Sequence, residues 1–246
     1  MKFENRLVLS AMAGINNADF CIKQKASLVI LGGFNADKGA IEAGIKAMAR
    51  GRKEFIFDDP LEGIEREIKK IKGKNFAVNV RSSSHEGYIE TAKLVEEYDG
   101  ILEINAHCRQ PEFVSARCGE WLLFNAEELF KIVEMVSKIT RTAVKLRGGY
   151  NLDYEKLSAK IFEKGCSIVH IDAMIPKGGC DLSLIHRISK HGFTIANNSF
   201  VDINSGESMI KAGARMVSAA RAVLKDENFF EKMLSSKILS EPVELR

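Results

Sequence analysis

Several kinds of segment are missing from this sequence of 246 residues, and each absence excludes a class of protein. No apolar run approaches the roughly 20 residues that a membrane-spanning helix needs. The N-terminus carries Lys2, Glu4 and Arg6 and lacks the apolar stretch of a secretory signal peptide. The five cysteines are widely spaced and form no C-x-x-C pair, which is typical of a reducing intracellular compartment. Together these absences predict a cytoplasmic protein.

The sequence also lacks a dominant charge and a linker between domains. Its 36 basic and 33 acidic residues give a net charge of +3, which does not favour a dedicated nucleic-acid binder. Only four prolines occur, and no low-complexity segment divides the chain. Since hydrophobic residues make up 46% of the chain, it can form a large core. We therefore predict one domain over residues 1–246.

What is present is a regular alternation of short apolar runs with helical segments. Strands are predicted at residues 7–11, 28–31, 75–80, 101–105, 142–146, 167–172, 193–197 and 216–218. Strict alternation with helices implies parallel pairing and right-handed crossovers. Eight such units predict an α/β fold that closes as a (β/α)8 TIM barrel, a fold of about 250 residues. The alternative is an open doubly wound sheet, but the G-x-G-x-x-G motif that usually follows its first strand is absent.

One connection is much longer than the others. The segment Phe34–Lys74, between the second and third predicted strands, contains two helical patterns, at residues 36–50 and 60–72. We interpret it as an extra helical insertion. The sequence leaves open whether the insertion covers the top or the bottom of the barrel or is only a surface addition.

The most informative residues lie where the fourth predicted strand ends. Cys108 follows Asn105 by three residues, just beyond an apolar run. Catalytic groups of parallel barrels sit at this end of the strands. A thiol there can give or take a proton above a bound ring. The alternative is a small buried cysteine that packs as an apolar residue.

Two charged or titratable residues interrupt later strands. Lys145 lies in an apolar run and is costly to bury without an anionic partner, such as a reduced flavin near its N1–C2 edge. Alternatively, its stem packs while its ammonium group reaches solvent. His170 alternates with apolar neighbours in the sixth predicted strand, so it points to the barrel interior or to the helix layer. It is either a functional residue or a hydrogen-bonded structural one.

Small and polar residues end the first, seventh and eighth predicted strands. They are Ala11, Met12, Asn197, Asn198, Ala219, Ala220 and Arg221. Loops after the last two strands of such barrels commonly bind phosphate through backbone N–H groups, and Arg221 adds a charged fork. The alternative is that Arg221 is a solvent-exposed helix residue with no role in phosphate binding. His107, Cys108 and Cys118 lack the paired spacing of zinc ligands, so we predict no metal site.

Six segments, in order, resemble motifs of the tRNA-dihydrouridine synthase family and, more distantly, of the dihydroorotate dehydrogenases. They are Ser10–Gly14, Asn105–Cys108, Gly119–Leu123, Lys145–Gly149, His170 and Gly213–Leu224. The corresponding family motifs include A-P-M-A-G, N-x-G-C-P, K-x-R-x-G and G-A-D-x-V-M-I-G-R-G-A-L. Both families are FMN-binding barrels, so the resemblance implies an FMN cofactor and a flavin-dependent oxidoreductase that acts on a CH–CH bond.

The resemblance also implies roles for individual residues. Cys108 would be the catalytic proton donor or acceptor. Asn105 and Arg147 would contact substrate. Residues implied to bind the cofactor are Ala11, Met12, Asn79, Asn105, Lys145, His170, Asn197, Asn198, Ala219, Ala220 and Arg221. The implied reaction reduces or oxidises a C–C or C=C bond next to a carbonyl, in a pyrimidine-like ring.

The chain departs from the family pattern in several places. The proline expected after the cysteine is Pro111, two places late, and Asn79 stands where the family has glutamine. Alanine replaces glycine at 196 and 220, and asparagine replaces it at 198. Only 22 residues follow Leu224, where the synthases carry a helical domain that grips tRNA. We expect a short branch of archaeal type.

Two further functions stay open. One is a genuine tRNA-dihydrouridine synthase that docks tRNA without the helical domain. The other is a flavin-binding subunit without turnover. The partners predicted from the sequence are a nucleobase or small-molecule substrate and a second copy of the chain, whereas the electron donor is left open.

Overall fold

The computed structural model describes residues 1–245 and contains a closed barrel of eight parallel strands. The described residues form ten strands, of which eight belong to the barrel: β1 (Lys2–Phe3), β2 (Leu7–Leu9), β3 (Leu28–Asn35), β4 (Asn75–Arg81), β5 (Ile101–Ala106), β6 (Arg141–Arg147), β7 (Ile168–Asp172), β8 (Thr194–Asn197), β9 (Met216–Ala219) and β10 (Val243–Glu244). The barrel runs in sequence order from β2 to β9, and β9 pairs with β2 to close it. The predicted α/β barrel is confirmed.

Helices fill the connections between the barrel strands. They are α1 (Ala18–Cys21), α2 (Lys38–Ala49), α3 (Pro60–Lys70), α4 (His85–Glu97), α5 (Pro111–Ser115), α6 (Glu120–Phe124), α7 (Ala126–Val136), α8 (Tyr154–Glu163), α9 (Leu182–Ser189), α10 (Ile203–Lys211), α11 (Arg221–Lys225) and α12 (Phe229–Met233). Many begin at an aspartate or serine whose side chain accepts a backbone N–H of the first turn, as Asp37 does for α2 and Ser84 for α4. Within residues 1–245, none of the helices combines the length and apolarity needed to cross a membrane.

All eight predicted strands exist, and all but one of their bounds agree with the prediction to within two residues. The largest difference is in β3, which continues to Asn35, whereas the apolar run predicts an end at Leu31. The register with β4 shifts between Gly32 and Phe34, so an irregularity lets the strand continue through the glycine pair. The sequence pattern marks the glycines as a strand end because glycine usually weakens a strand.

The two faces of the strands make two separate cores. Residues such as Leu9, Val29 and Val78 face the helices and belong to the larger apolar cluster. Residues of the other face point into the barrel. Its lower part is lined by Val8, Leu28, Ile30, Ala77, Ile101, Ala143, Ile168, Ile195 and Met216. This alternation follows from the period of two along a strand, with both faces buried.

A small antiparallel sheet closes the lower end of the barrel. β1 pairs with β10 through Lys2↔Glu244 and Phe3↔Val243. Phe3, Val243 and Leu245 join the apolar cluster inside the barrel. Because this end is filled with apolar side chains, a polar site can form only toward the carboxyl ends of the strands.

The structure shows which end of the barrel the insertion between β3 and β4 covers. Its helix α2 packs on the loop after β5, where Ala40, Ala43 and Ala47 form a small apolar cluster with Phe113 and Cys118. Cys108 packs against the same cluster. The insertion therefore covers the carboxyl end of the barrel on the side of Cys108.

Candidate active site

Directly above its apolar floor, the barrel interior becomes polar on seven of its eight strands. Two residues beyond the floor, the positions are Ser10, Gly32, Asn79, Glu103, Lys145, His170, Asn197 and Ser218. We call the seven residues other than Gly32 the polar layer. Hydrogen bonds across the barrel, from Lys145 Nζ to Ser10 Oγ and between His170 and Ser218, place these side chains inside. Because apolar side chains fill the barrel below the polar layer, a site lined by this layer can open only toward the carboxyl end of the strands.

Hydrogen bonds in the polar layer converge on the carboxylate of Glu103, which is fully buried. Asn79 Nδ2 donates to Glu103 Oε1 at 2.6 Å, and His170 Nδ1 lies 2.6 Å from Oε2. His170 Nε2 lies 2.7 Å from Ser218 Oγ, which in turn accepts from Asn197 Nδ2 at 2.7 Å. A neutral His170 that carries its proton on Nδ1 satisfies every one of these contacts.

The charges of the layer support that assignment. Burial opposes ionisation of Glu103, but contacts with His170 and Lys145 outweigh it and hold the pKa of the carboxyl below its usual value. Burial lowers the pKa of His170 and favours the neutral ring. Burial also lowers the pKa of Lys145, while the carboxylates of Glu103 and Asp172 oppose that effect. The interior thus holds a buried amine, Lys145, with two nearby carboxylates.

Cys108 lies two residues beyond β5, in a loop held from below by Asn105. Asn105 Oδ1 accepts the backbone N–H groups of His107 at 3.1 Å and Cys108 at 2.9 Å. Asn105 Nδ2 donates to Asn79 Oδ1 at 2.9 Å, which ties the loop to the polar layer. Asn105 also pairs with Lys145 in the β5–β6 register. The thiol and the amine therefore belong to the same end of the barrel.

A buried arginine contacts the thiol from the other side. Arg81 Nη1 lies 3.8 Å from Cys108 Sγ, and the guanidinium stacks over Phe113 at 3.7 Å from the ring centroid. Arg81 Nη2 also bonds to Glu54 Oε2 at 2.5 Å, and both side chains are buried. Glu54 comes from the insertion, which thus supplies the carboxylate that balances this arginine.

Around the mouth, His107, Asp172 and Arg147 form a second cluster. His107 Nε2 lies 2.6 Å from Asp172 Oδ2 and 2.9 Å from Arg147 Nη2. Arg147 Nε donates to the backbone oxygen of His107 at 3.1 Å. Burial and the positive charges of Lys145 and Arg147 outweigh Asp172 and lower the pKa of His107 to about 4. Burial opposes ionisation of Asp172, but the contacts with His107 and Arg147 lower the pKa of its carboxyl.

A cavity of about 600 Å³ opens at the ends of β8 and β9. Its lining includes Asn197, Asn198, Ser199, Ser218, Ala219, Ala220, Arg221 and Lys225. Asn198 and Ser199 have left-handed backbone, with φ of 86° and 58°. Asparagine tolerates this conformation better than most residues, so it can replace a glycine there. Ala220 has a φ of −124°, which does not require glycine.

The structure brings most of the sequence-predicted site residues to one end of the barrel, in two groups. Asn79, Asn105, Lys145 and His170 are inside the barrel, while Asn197, Asn198, Ala219, Ala220 and Arg221 line the cavity. Cys108, Arg147, Ala11 and Met12 are partly exposed at the strand ends. Asn79 and both ring nitrogens of His170 are engaged within the polar layer, which favours the structural interpretation of His170.

Sequence reasoning missed four charged residues of the site. Glu103 and Asp172 interrupt apolar strands as Lys145 does, so the same signal was available for them. Glu54 and Arg81 gave no such signal, because their pairing depends on how the insertion folds back. The only role that the sequence suggests for His107 is that of a metal ligand. In the structure, its ring contacts a carboxylate and a guanidinium instead.

Comparisons with known proteins give a fold but no family. No family model matches the chain. It is 29% identical over 243 residues to the uncharacterized protein MJ0144 of Methanocaldococcus jannaschii, covering 91% of each chain. A mutant of FabK from Thermotoga maritima matches with a TM-score of 0.59 and 13% identity over 90% of this chain, which spans only 63% of the FabK chain. Morphinone reductase in complex with tetrahydroNAD matches with a TM-score of 0.67 and 11% identity, covering 98% of this chain and 89% of that one. At such identities, the two structures show the shared barrel fold.

Proposed function

We propose that this chain is an FMN-dependent oxidoreductase that reduces or oxidises a C–C or C=C bond next to a carbonyl, in a pyrimidine-like ring. The observation that carries the proposal is the common location of three features at the carboxyl end of the barrel. They are the thiol of Cys108, the buried amine of Lys145 and the cavity at the ends of β8 and β9. The name of one structural neighbour, morphinone reductase, agrees with a redox role.

The residues present fit the phosphate of FMN. The cavity is lined by Arg221 and Lys225, and Asp226 is the acidic residue of its lining. The alanine at 220 has a φ of −124°, outside the left-handed region that favours glycine. Asn198 has a left-handed backbone with a φ of 86°, which asparagine tolerates better than most residues. The departures from the family pattern are therefore compatible with phosphate binding.

The buried amine fits the ring of the cofactor. Lys145 is 4% exposed and bonds to Ser10 Oγ inside the barrel. A positive charge on the Lys145 amine would attract an electron-rich ring bound above it, because the low dielectric of the barrel interior strengthens the Coulomb interaction. When bound, FMN would supply hydride transfer to or from one carbon of the substrate. Burial lowers the pKa of Lys145, and the charges of Glu103 and Asp172 oppose that shift.

The chain's own residues would move the proton and orient the substrate. Cys108 would give or take the proton at the neighbouring carbon, a role worth roughly 10²–10⁴ in rate. Asn105 holds the loop of Cys108 in place, because its Oδ1 accepts the backbone N–H groups of His107 and Cys108. Arg81 orients the thiol from the side of the insertion. The substrate would lie between the thiol and the cofactor.

The test is an absorbance spectrum of the purified protein with added FMN, followed by turnover with dihydroorotate, dihydrouridine and a tRNA transcript. We expect a bound flavin band that bleaches when dihydroorotate, dihydrouridine or dithionite reduces the flavin. After reduction, the band should recover when the oxidised form of the substrate, or the uridine of the tRNA transcript, takes the electrons. Cys108→Ala should keep the flavin band and lose turnover by roughly 10²-fold or more. Cys180→Ala is the matched control, because Cys180 is also a partly buried free thiol.

Each outcome separates the candidate functions. Turnover with the tRNA transcript alone would identify a tRNA-dihydrouridine synthase. A tightly bound flavin that no substrate reduces or reoxidises would support the non-catalytic subunit. A protein that takes up no flavin, or a Cys108→Ala variant as fast as the wild type, would refute the proposal.

A further inference from the structure

We propose that the groove between α7 and α8 is the contact surface of a symmetric dimer, in which it packs against the same groove of a second copy of the chain. The inference goes beyond the proposed function and does not depend on it. The groove lies on the outside of the barrel and has a volume of about 620 Å³. Its apolar lining includes Leu123, Phe124, Ala126, Phe130, Leu152 and Leu157. An apolar groove of this size on a protein surface is typical of a contact site.

The side chain of Phe124 forms a fixed aromatic group at this groove. It is 53% exposed, and within residues 1–245 it is the only aromatic side chain among the exposed large apolar ones. Its ring packs edge-on against Tyr150, with 5.0 Å between the ring centroids. Tyr150 Oη in turn donates to Glu120 Oε2 at 2.5 Å. A ring that is already held in place loses little conformational entropy on association, so Phe124 is suited to anchor a protein contact.

The two walls of the groove carry opposite charges that are left over from other contacts. Glu127 lies in the first turn of α7 and Lys156 in the first turn of α8, and both are exposed. In the part of the chain that the structure describes, neither side chain has an ion-pair partner within 4 Å. The remaining charged groups of the α8 wall are engaged, because Asp153 caps the helix and Lys160 pairs with Glu163 at 2.7 Å.

These charges fit a second copy of the chain in one orientation. Since α7 and α8 both connect parallel strands of the barrel, they run in the same direction, and Glu127 and Lys156 lie at the same end of the groove. A two-fold axis parallel to the groove turns the α7 wall of one copy onto the α8 wall of the other. Glu127 then faces the partner's Lys156, and Lys156 faces the partner's Glu127.

The same rotation lays the apolar lining of one groove on that of the other. Each copy therefore supplies the apolar surface and both of the charges that the other copy can pair with. A contact of this kind is self-complementary, as the interface of a two-fold dimer has to be. This complementarity favours a second copy of the chain over a partner of different chemistry.

The first experiment is sedimentation velocity of the purified protein over roughly the 1–100 µM range, in which interfaces of modest size dissociate. We expect a dimer that dissociates on dilution. Phe124→Asp should raise the Kd of the dimer by about 30-fold or more, because anchor residues carry most of the binding energy of an interface. Ile45→Asp is the matched control and should leave the Kd unchanged, since Ile45 on α2 is also 53% exposed and lies outside the groove. Circular dichroism should show that both variants are folded.

The second experiment exchanges the charges of the two walls. Glu127→Lys and Lys156→Glu should each raise the Kd by roughly 3–10-fold, because each places like charges face to face at two symmetric positions. The variant with both substitutions should return to within about threefold of the wild-type Kd, since it restores both pairs.

The outcomes separate this dimer from other assemblies. A wild-type protein that is still monomeric at about 100 µM would overturn the proposal. So would a dimer whose Kd is unchanged in Phe124→Asp, because its interface would then lie elsewhere. Single charge variants that weaken the dimer without recovery in the double variant would overturn the two-fold arrangement proposed for the groove.

Discussion

The neutral state of His107 predicts a specific loss of stability in mild acid. Burial and the charges of Lys145 and Arg147 hold the pKa of the folded ring at about 4, against an ordinary value of about 6.5 for histidine. As the pH falls through 6.5, His107 binds a proton in the unfolded chain but stays unprotonated in the folded chain. The free energy of unfolding therefore falls with decreasing pH, and the loss is confined to the window between about pH 6.5 and about pH 4.

The size of the effect follows from the two pKa values. Between pH 7.5 and pH 5, linkage predicts that His107 alone removes about 2 kcal/mol of stability, at roughly 1.4 kcal/mol per unit of pKa difference. His170 acts in the same direction, because burial lowers its pKa as well. The carboxyls of Asp172 and Glu103 have lowered pKa values, so their stabilising contributions are lost mainly below this window.

Urea unfolding at pH 7.5 and pH 5, followed by the fluorescence of Trp121, the only tryptophan, measures the effect. The wild type should lose more stability over this range than His107→Gln, by about 2 kcal/mol. His186→Gln should follow the wild type, because the side chain is exposed on α9. An equal loss in the wild type and in His107→Gln would refute the reasoning that makes His107 neutral.

Two other predictions concern the loop around the thiol. In Gly119→Ala, the new Cβ would overlap the carbonyl oxygen of Cys108 in a backbone with a φ of 64°, so thermal unfolding should reveal a destabilisation of about 2 kcal/mol or more. Gly51→Ala, with a φ of 87° and no atom within 4 Å, should lose only about 1 kcal/mol, and equal losses would contradict the packing argument. Glu54→Gln leaves the buried Arg81 without its carboxylate and should lower the free energy of unfolding in urea by about 3–5 kcal/mol, whereas a change below about 1 kcal/mol would mean that the pair is solvated.

The barrel could be predicted from the sequence because its strands are buried on both faces. Such strands appear as continuous apolar runs, and all eight were located this way. The end of β3 could not be predicted, since the glycine pair that usually ends a strand here lies within an irregularity in the register. The direction of the insertion could not be predicted either, because it depends on the packing of α2 against Phe113.

The candidate site shows a similar division. The fold rule that places function at strand ends was enough to select Cys108, Lys145 and the residues of the cavity. Their partners could not be predicted, since the contact of His107 with Asp172 spans 65 residues and the ion pair of Arg81 with Glu54 spans 27. Contacts of this kind are set by closure of the barrel and not by local pattern.

The polar layer explains how a barrel interior can hold so many charges. N–H groups of Asn79 and His170 donate to the two oxygens of the Glu103 carboxylate. These fixed hydrogen bonds replace the water contacts that Glu103 loses on burial. Two carboxylates, Glu103 and Asp172, lie near two basic side chains, Lys145 and Arg147, so acidic and basic groups balance in number at the mouth. Any ligand that brings negative charge to Lys145 would upset this balance, and the neutral ring of His107 is the group in the cluster that can restore it by taking up a proton. Binding of an anionic ligand at the mouth should therefore raise the pKa of His107.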